Sequence, residues 1–312
     1  MSLSSHELQA FRTVAQTLNF SQAAERIHIT QPALSQRIQS LERTLGLTLF
    51  IRDRKGVRLT DAGMRLLRYC QHKDHLEEEL LADLGMSLDD KLGGRLRVAG
   101  YSSIVRSVVM PALAGLLRDN PAVQFEFSEH EVSDLAEVLM RGEADFVVMD
   151  HALQQNNVET VVLGQETYVL IRSSQYPSRE VYLDHDPADR VTEVFFSRTG
   201  WIPGAGAKTT RKSDAGTAKE SAQVIGTSVE IPTFTRCYVD SVDGILTGVA
   251  LGLGQAVMSR HLLSKELPVR AVKGAPSMVV PAVLHYFKQS YYSALQKAAI
   301  QTLRQECAKY LK

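Results

Sequence analysis

Apolar positions recur every third or fourth residue through the first part of the chain. In residues 4–17, Leu8, Phe11, Val14 and Ala15 share one helical face, and Ser4 or Ser5 stands where a cap is needed. A second, short helix is predicted over 21–27, with Ser21 as its cap and Ala23-Ala24 small enough for another helix to cross closely. A third spans 31–45. Thr30 caps it, and Pro32 sits in its first turn, where a missing N–H costs nothing. Leu34, Ile38, Leu41 and Leu45 line one face, and Gly46 ends it. The pattern then shortens. Residues 47–60, LTLFIRDRKGVRLT, read as two strands around a tight basic turn, a wing. Thr60 caps a long helix that begins at Asp61-Ala62-Gly63 and runs to about residue 88, with Leu66, Leu67, Cys70, Leu76, Leu80, Leu81 and Leu84 as an interrupted stripe. A helix of that length pairs with another copy or spans a gap between domains. Its acids, Glu77-Glu78-Glu79 and Asp83, then face water or a partner chain.

Beyond the Gly93-Gly94 joint the texture becomes alternating. Strands over 95–100, 123–127 and 145–150 are separated by helices over 103–121 and 133–144, the spacing of a mostly parallel sheet. Residues 166–173 open a second lobe, and EVFFS (193–197) reads as a further strand. Residues 241–262 read as helix, turn, strand and loop, and 282–311 as a strand-like stretch with a closing helix. The Gly/Ala/Lys/Ser-rich stretch 203–223 is expected to be a mobile loop, or a loop with a loosely held helix. The expected division is a DNA-binding domain over 1–60, a linker and dimerisation helix over 61–92, and a domain over 93–312. Within the last, lobe I covers about 93–164 and 269–312, and lobe II about 165–268.

Charge changes the picture. The whole chain is neutral, with 35 basic and 35 acidic residues, which argues against a nucleic-acid binder. The distribution argues for one. Met1 to Lys73 holds 11 Lys/Arg against 5 Asp/Glu, a net of +6, while Asp74 to Lys91 holds seven acids and one base. A basic head and an acidic neck suggest one polyanion-binding module on an otherwise neutral protein. The three cysteines, 70, 237 and 307, form no CxxC pair and fit a reducing compartment. Cys237, beside Arg236, is a candidate redox thiol, with a buried structural thiol as the plainer reading. No charged-then-apolar leader opens the chain, and no run reaches the roughly 18 apolar residues of a membrane span. A cytoplasmic protein with no membrane partner is the expectation.

The segment FSQAAERIHITQPALSQRIQSLERTLGLTLFIRDRKGVRLTDAG, Phe20 to Gly63, closely resembles the N-terminal signature of the LysR-type transcriptional regulators. Ala23-Ala24, Thr30-Gln31-Pro32-Ala33, Ser35, Ile38, Leu41-Glu42, Leu45-Gly46, Leu49-Phe50, Arg52, Leu59-Thr60 and Ala62-Gly63 carry it. Within the family, ITQPALSQRIQSLE looks most like the regulators of arginine and lysine transport. EHEVSDLAEVLMRGEADFVV and VDSVDGILTGVALGLGQAVMSRHLL look like effector-domain segments. Lys55-Gly56 departs from the family, which often has a basic residue followed directly by Val there. The resemblance implies an N-terminal all-α winged helix-turn-helix, a long linker helix and a two-lobed α/β effector domain resembling periplasmic-binding-protein type II. It implies double-stranded promoter DNA, a small-molecule effector, RNA polymerase and further copies of the chain, as dimer or tetramer, as partners.

A helix-turn-helix lays its second helix in the major groove, where Gln pairs with adenine and Arg with guanine. Gln36 and Arg37 are therefore the expected base readers, with Thr30, Gln31, Pro32 and Ser35 as base or phosphate contacts and Ser21 on the preceding helix. Arg52, Arg54, Lys55 and Arg58 belong to the wing and are expected at phosphates or the minor groove. For Arg52 a structural pairing with Glu42 is the alternative. Expected effector residues are Ser102 and Ser103, which follow a strand, with Ser133 on the same lobe and Phe195, Ser197 and Thr199 on the second, facing a cleft between lobes. Arg106 or Arg198 would neutralise an acidic ligand such as an amino acid or organic acid, with a plain surface arginine as the other reading of each. No GxSxG, HExxH, GxGxxG or Walker loop is present, and no enzyme, cofactor or metal is expected. His72 and His75, one helical turn apart, lack further ligands at suitable spacing. A regulator whose C-terminal domain answers only to protein contact is one alternative; an enzyme or solute-binding protein is the remoter one.

Overall fold

A computed structural model of the chain describes residues 3–53, 56–84, 92–201, 234–264 and 266–311. The expected loop over 203–223, the wing-tip pair Arg54 and Lys55, and the side chains of His72, His75, Glu78, Glu79 and Asp83 lie outside the described residues.

Three helices, α1 (Ser5–Thr17), α2 (Phe20–Arg26) and α3 (Gln31–Leu45), enclose one core. Phe11, Leu34, Ile38, Leu41 and Leu49 at its centre are at most 1% exposed, so the expected helical stripes do face inward. Gly46 ends α3 at φ 66°, in the left-handed region. The wing is an antiparallel pair, β1 (Phe50–Asp53) and β2 (Gly56–Leu59), with Phe50 opposite Leu59. α4 (Asp61–Leu84) follows, capped by Thr60, whose hydroxyl accepts the Gly63 N–H at 3.0 Å. A Cβ at Gly63 would lie 2.3 Å from the Leu49 carbonyl oxygen, so this glycine is what lets α4 press against the entry to the wing.

The remaining elements are β3 (Gly94–Gly100), α5 (Ser102–Ile104), a π-helical turn (Val105–Val109), α6 (Met110–Asp119), β4 (Val123–Glu129), α7 (Val132–Met140), β5 (Phe146–Met149), β6 (Val158–Ser173), β7 (Val181–Asp184), α8 (Val191–Thr199), β8 (Thr235–Tyr238), α9 (Val242–Ala250), β9 (Ala256–Ser259), β10 (Val269–Ala271), β11 (Ser277–Phe287) and α10 (Ala294–Tyr310). Pro111 has no N–H to return to the turn before it, and that turn widens to the π form. The main sheet is mixed. Its order is β10-β6-β11-β5-β3-β4, with β9 also on β6; β3 runs parallel to β4 and β5, and β11 antiparallel to β5. β7 and β8 form a separate parallel pair.

Internal contacts divide the chain into two units, Met1–Leu163 with Val283–Glu306, and Gly164–Ala282 with Cys307–Lys312. In the first, the helix-turn-helix core is distinct from a second core in which Ala99, Leu135, Leu139, Val147 and Met149 meet beneath α7. In the second, Val169, Ile171, Leu183, Val249 and Met258 pack under α9, and Leu170, Tyr182, Phe195, Phe196 and Val257 pack against α8.

Two expectations need correction. EVFFS (193–197) is not a strand but the middle of α8, which ends at Gly200 with φ 63°. A short run with adjacent aromatic and β-branched residues fits either period, and the glycine C-cap decides it. From the sequence the chain also returns to the first lobe at residue 269; in the structure Val269–Ala271 pair with Ser173–Ile171, inside the second unit.

Candidate nucleic-acid interface and effector region

The outward face of α3 carries the expected DNA residues. Thr30, Gln31, Pro32 and Gln36 are exposed, and Ser35 and Arg37 are half-buried beside the inward-facing Leu34 and Ile38. Helix starts usually offer several unpaired N–H groups to a phosphate. This one offers fewer. Thr30 takes two through its hydroxyl, which accepts the Ala33 N–H at 3.4 Å, and its carbonyl, which accepts the Leu34 N–H at 3.0 Å. Pro32 has none. Among the described residues this leaves the N–H groups of Thr30 and Gln31. The Gln31 side chain is itself held: its Nε2 donates to Ser35 Oγ at 3.0 Å.

Ser21 stands exposed in the first turn of α2, but it is not the cap. Asn19 Oδ1 accepts the Ser21 and Gln22 N–H groups at 3.0 and 3.1 Å. The signal was in the sequence, since Asn ranks with Ser as an N-cap and Phe20 already belongs to the helix.

On the wing the Arg52 guanidinium lies 3.6 Å over the Phe20 ring, which meets Phe50 edge-on at 5.8 Å. Among the described residues no ion pair joins Arg52 to Glu42. The Glu42 carboxylate instead accepts the Leu49 and Phe50 N–H groups at 2.7 and 3.4 Å, fixing where the wing begins. Strand alternation puts Arg58, opposite Ile51, on the other face of the ribbon from Arg52, opposite Val57. The two wing arginines are therefore not brought together.

In the first unit, Ser102 and Ser103 follow β3 directly, and Ser133 lies in the first turn of α7, after the neighbouring parallel strand β4. All three stand at one end of the sheet, the C-terminal end of its parallel strands, tied there by the His130 N–H donating to the Gly100 carbonyl at 3.0 Å. Ser102 and Ser103 are half-buried. Ser133 is exposed, and its hydroxyl donates to Asp134 Oδ1 at 3.1 Å. Arg106 is exposed.

In the second unit, Phe195 is fully buried, meeting Phe196 edge-on at 5.7 Å. Thr199 spends its hydroxyl on the Phe195 carbonyl at 2.7 Å, while Ser197 and Arg198 are exposed. Two polar networks here escaped the sequence reading. Arg236 Nε donates to Asp184 Oδ2 at 2.5 Å and Nη1 to Glu193 at 3.2 Å, joining β8, β7 and α8; Thr192 also donates to Asp184. Burial pushes the Asp184 carboxyl above its usual range, against those hydrogen bonds. The second is Glu166, fully buried, which accepts from Ser259 and from Tyr168 at 3.3 Å and lies 3.6 Å from His261 Nε2. Pairing across separate segments, as in both cases, leaves no local sequence signal.

Cys237 is exposed rather than a buried thiol, because it lies on a short pair of strands with Arg236 turned to Asp184. Cys70 and Cys307 are buried, and burial pushes the Cys70 thiol up to about 11. No described helix is long and apolar enough to cross a membrane.

Residues 5–64 match the family model for the bacterial regulatory helix-turn-helix protein, lysR family, and residues 89–195 the LysR substrate binding domain. The chain is 27% identical over 266 residues to the HTH-type transcriptional regulator CfxR of Cupriavidus necator, covering 85% of this chain and 78% of that one. It is 26% identical over 297 residues to the HTH-type transcriptional regulator AbaB of Streptomyces antibioticus, covering 90% and 89%. Among solved structures, ArgP from Mycobacterium tuberculosis superposes with a TM-score of 0.70 at 21% identity over 98% of both chains. LysG from Corynebacterium glutamicum with bound effector Arg does so with 0.66 at 16%, over 98% and 99%.

Proposed function

The chain belongs to the LysR-type transcriptional regulators, DNA-binding proteins with an effector-binding domain, and on that premise we propose that a small organic anion or amino acid sets how it holds promoter DNA. Residues 1–60 bind DNA, 61–92 link and dimerise, and 93–312 bind effector. The observation that carries the DNA half is the division of α3, with Leu34, Ile38 and Leu41 locked in the core, Gln31 and Gln36 exposed and Arg37 half-buried at the edge of that stripe. Arg37 and Gln36 read bases, Thr30, Pro32 and Ser21 position the helix, and Arg52, Arg54, Lys55 and Arg58 hold backbone or minor groove. Exposed Tyr69, Leu76 and Leu80 along α4 support pairing with the same helix of a second copy. Dimers of dimers then span two half-sites, and effector binding alters bending and contact with RNA polymerase. Ser102 and Ser103, at a helix start after β3, suit a carboxylate, with Ser133 in the first turn of α7, after the neighbouring strand β4.

The test is binding of the purified full chain to its own upstream region at several salt concentrations. Selective binding that weakens with salt is expected. Arg37→Ala should lose roughly 10- to 100-fold for the selected site and little for random duplex. Equal loss on both would remove Arg37 from base reading. The same assay then screens amino acids and organic acids.

A further inference from the structure

We propose that Ser35 is a positioning residue: its hydroxyl holds the Gln31 carboxamide in the orientation that reads an adenine. The proposal rests on the reading of α3 as the base-reading helix, and deepens it.

Gln31 and Ser35 are four residues apart on α3, and helical side chains lean toward the N-terminus, so Ser35 reaches back over Gln31. The Nε2–Oγ distance of 3.0 Å is that of a good hydrogen bond. Gln31 is exposed, with three side-chain torsions that would otherwise be unrestrained at the surface. A carboxamide has two N–H donors and one carbonyl acceptor. Ser35 uses one donor. What remains is one donor and one acceptor, the pair that adenine N7 and N6–H require in the major groove. Ordering a Gln side chain on binding ordinarily costs rotamer entropy, and here part of that ordering exists before DNA arrives. The site also has few competing uses. Thr30 Oγ1 accepts the Ala33 N–H and Pro32 has none, so among the described residues the Thr30 and Gln31 N–H groups remain to meet a phosphate at this end of α3, which leaves the Ser35 hydroxyl to Gln31.

The experiment uses the full chain and a duplex selected from a random library, with each A·T pair of the selected site varied in turn. Ser35→Ala, Ser35→Thr, Gln31→Ala and the Ser35→Ala/Gln31→Ala double variant are compared, with thermal melts to show that all four remain folded. Gln31→Ala is expected to relax discrimination at one A·T pair. Ser35→Ala should relax it at that same pair, by about fivefold to tenfold, with the salt slope unchanged. Ser35→Thr, which keeps the hydroxyl, should restore it, and Ser35→Ala should add nothing in the Gln31→Ala background. If Gln31→Ala leaves discrimination intact, base reading by Gln31 fails and the proposal with it. If Gln31→Ala relaxes discrimination but Ser35→Ala does not, positioning alone is overturned. A shallower salt slope in Ser35→Ala, or additive losses, would make Ser35 a direct contact and overturn it likewise.

Discussion

Helices α3 and α8 dispose of their polar residues in opposite ways. α3 has 15 residues, buries Leu34, Ile38 and Leu41 on one side, and carries Gln31 and Gln36 on the other. α8 has nine, and buries the adjacent rings of Phe195 and Phe196. Four turns leave room for a long exposed face; in two and a half turns around a pair of large rings the exposed Ser197 and Arg198 directly adjoin the buried Phe195 and Phe196. In the DNA-binding head, the residues proposed to read DNA and those that hold the core are different residues of one helix. In the effector region a residue at a candidate site is also part of the core, and its replacement is felt first as lost folding.

The sharpest way to break that contrast is to truncate one residue from each helix. Phe195→Ala should cost about 3–5 kcal/mol of unfolding free energy, read as a fall in the denaturation midpoint of the full chain. Gln36→Ala should change it by no more than about 0.5 kcal/mol. A Phe195→Ala loss below about 1 kcal/mol would mean that α8 can close over the gap, and the ring would no longer count as core.

The same contrast explains what the sequence revealed. From Phe20 to Gly63 buried and exposed residues alternate within single elements, so periodicity placed α3, cap chemistry placed Thr30 and Gly46, and strand and turn signals placed the wing. The six expected contacts from Thr30 to Arg37 fall on the helix and cap that were drawn for them. The error there was local: Asn19 lies one residue before Phe20 and was passed over for Ser21. Farther on, what mattered was non-local. α8 looked like a strand because Val194, Phe195 and Phe196 are adjacent. β7 has four buried residues, and β8 pairs with it from far along the chain, with Arg236 reaching Asp184 52 positions away, so neither has a pattern of its own. Arg52 on Phe20 is the analogous case in the head, a stack between two elements whose partner no spacing rule names.

Acid should separate the two cores next. His285 on β11 is fully buried, and its Nε2 accepts the Leu153 N–H at 3.0 Å. Burial, with the nearby His151 adding to it, pushes the imidazole down from 6.5 to about 4. In the unfolded chain this histidine takes its proton near pH 6.5; in the folded chain it refuses it until about pH 4. Between those values the unfolded state binds more protons, so stability is fully present above 6.5 and lost as pH falls toward 4. Thermal melts from pH 7.5 to 4.5 should show the midpoint of the first unit falling, and His285→Gln, which cannot protonate, should flatten the fall. An unchanged slope in the variant would assign the acid sensitivity to other groups. Among the described residues no buried histidine lies in the core of the head, so DNA binding by that part should outlast the change.

The smallest effect tests how far the head's two faces are independent. Asn19 satisfies two N–H groups at the start of α2, and loss of such a cap costs about 1 kcal/mol. Asn19→Ala should show that loss in denaturation, whereas Ser21→Ala, removing an exposed hydroxyl that caps nothing, should stay within about 0.5 kcal/mol. Because Phe20 follows the cap and supports the Arg52 guanidinium, fraying there should also loosen a backbone contact and weaken DNA binding about equally on all sequences. Asn19→Asp separates the two consequences. It keeps the acceptor and suits the positive end of the helix, so stability should return. It also places a negative charge beside DNA phosphate, so affinity at low salt should stay reduced. If Asn19→Asp regained full affinity as well, the start of α2 would stand away from the DNA, and Ser21 with it.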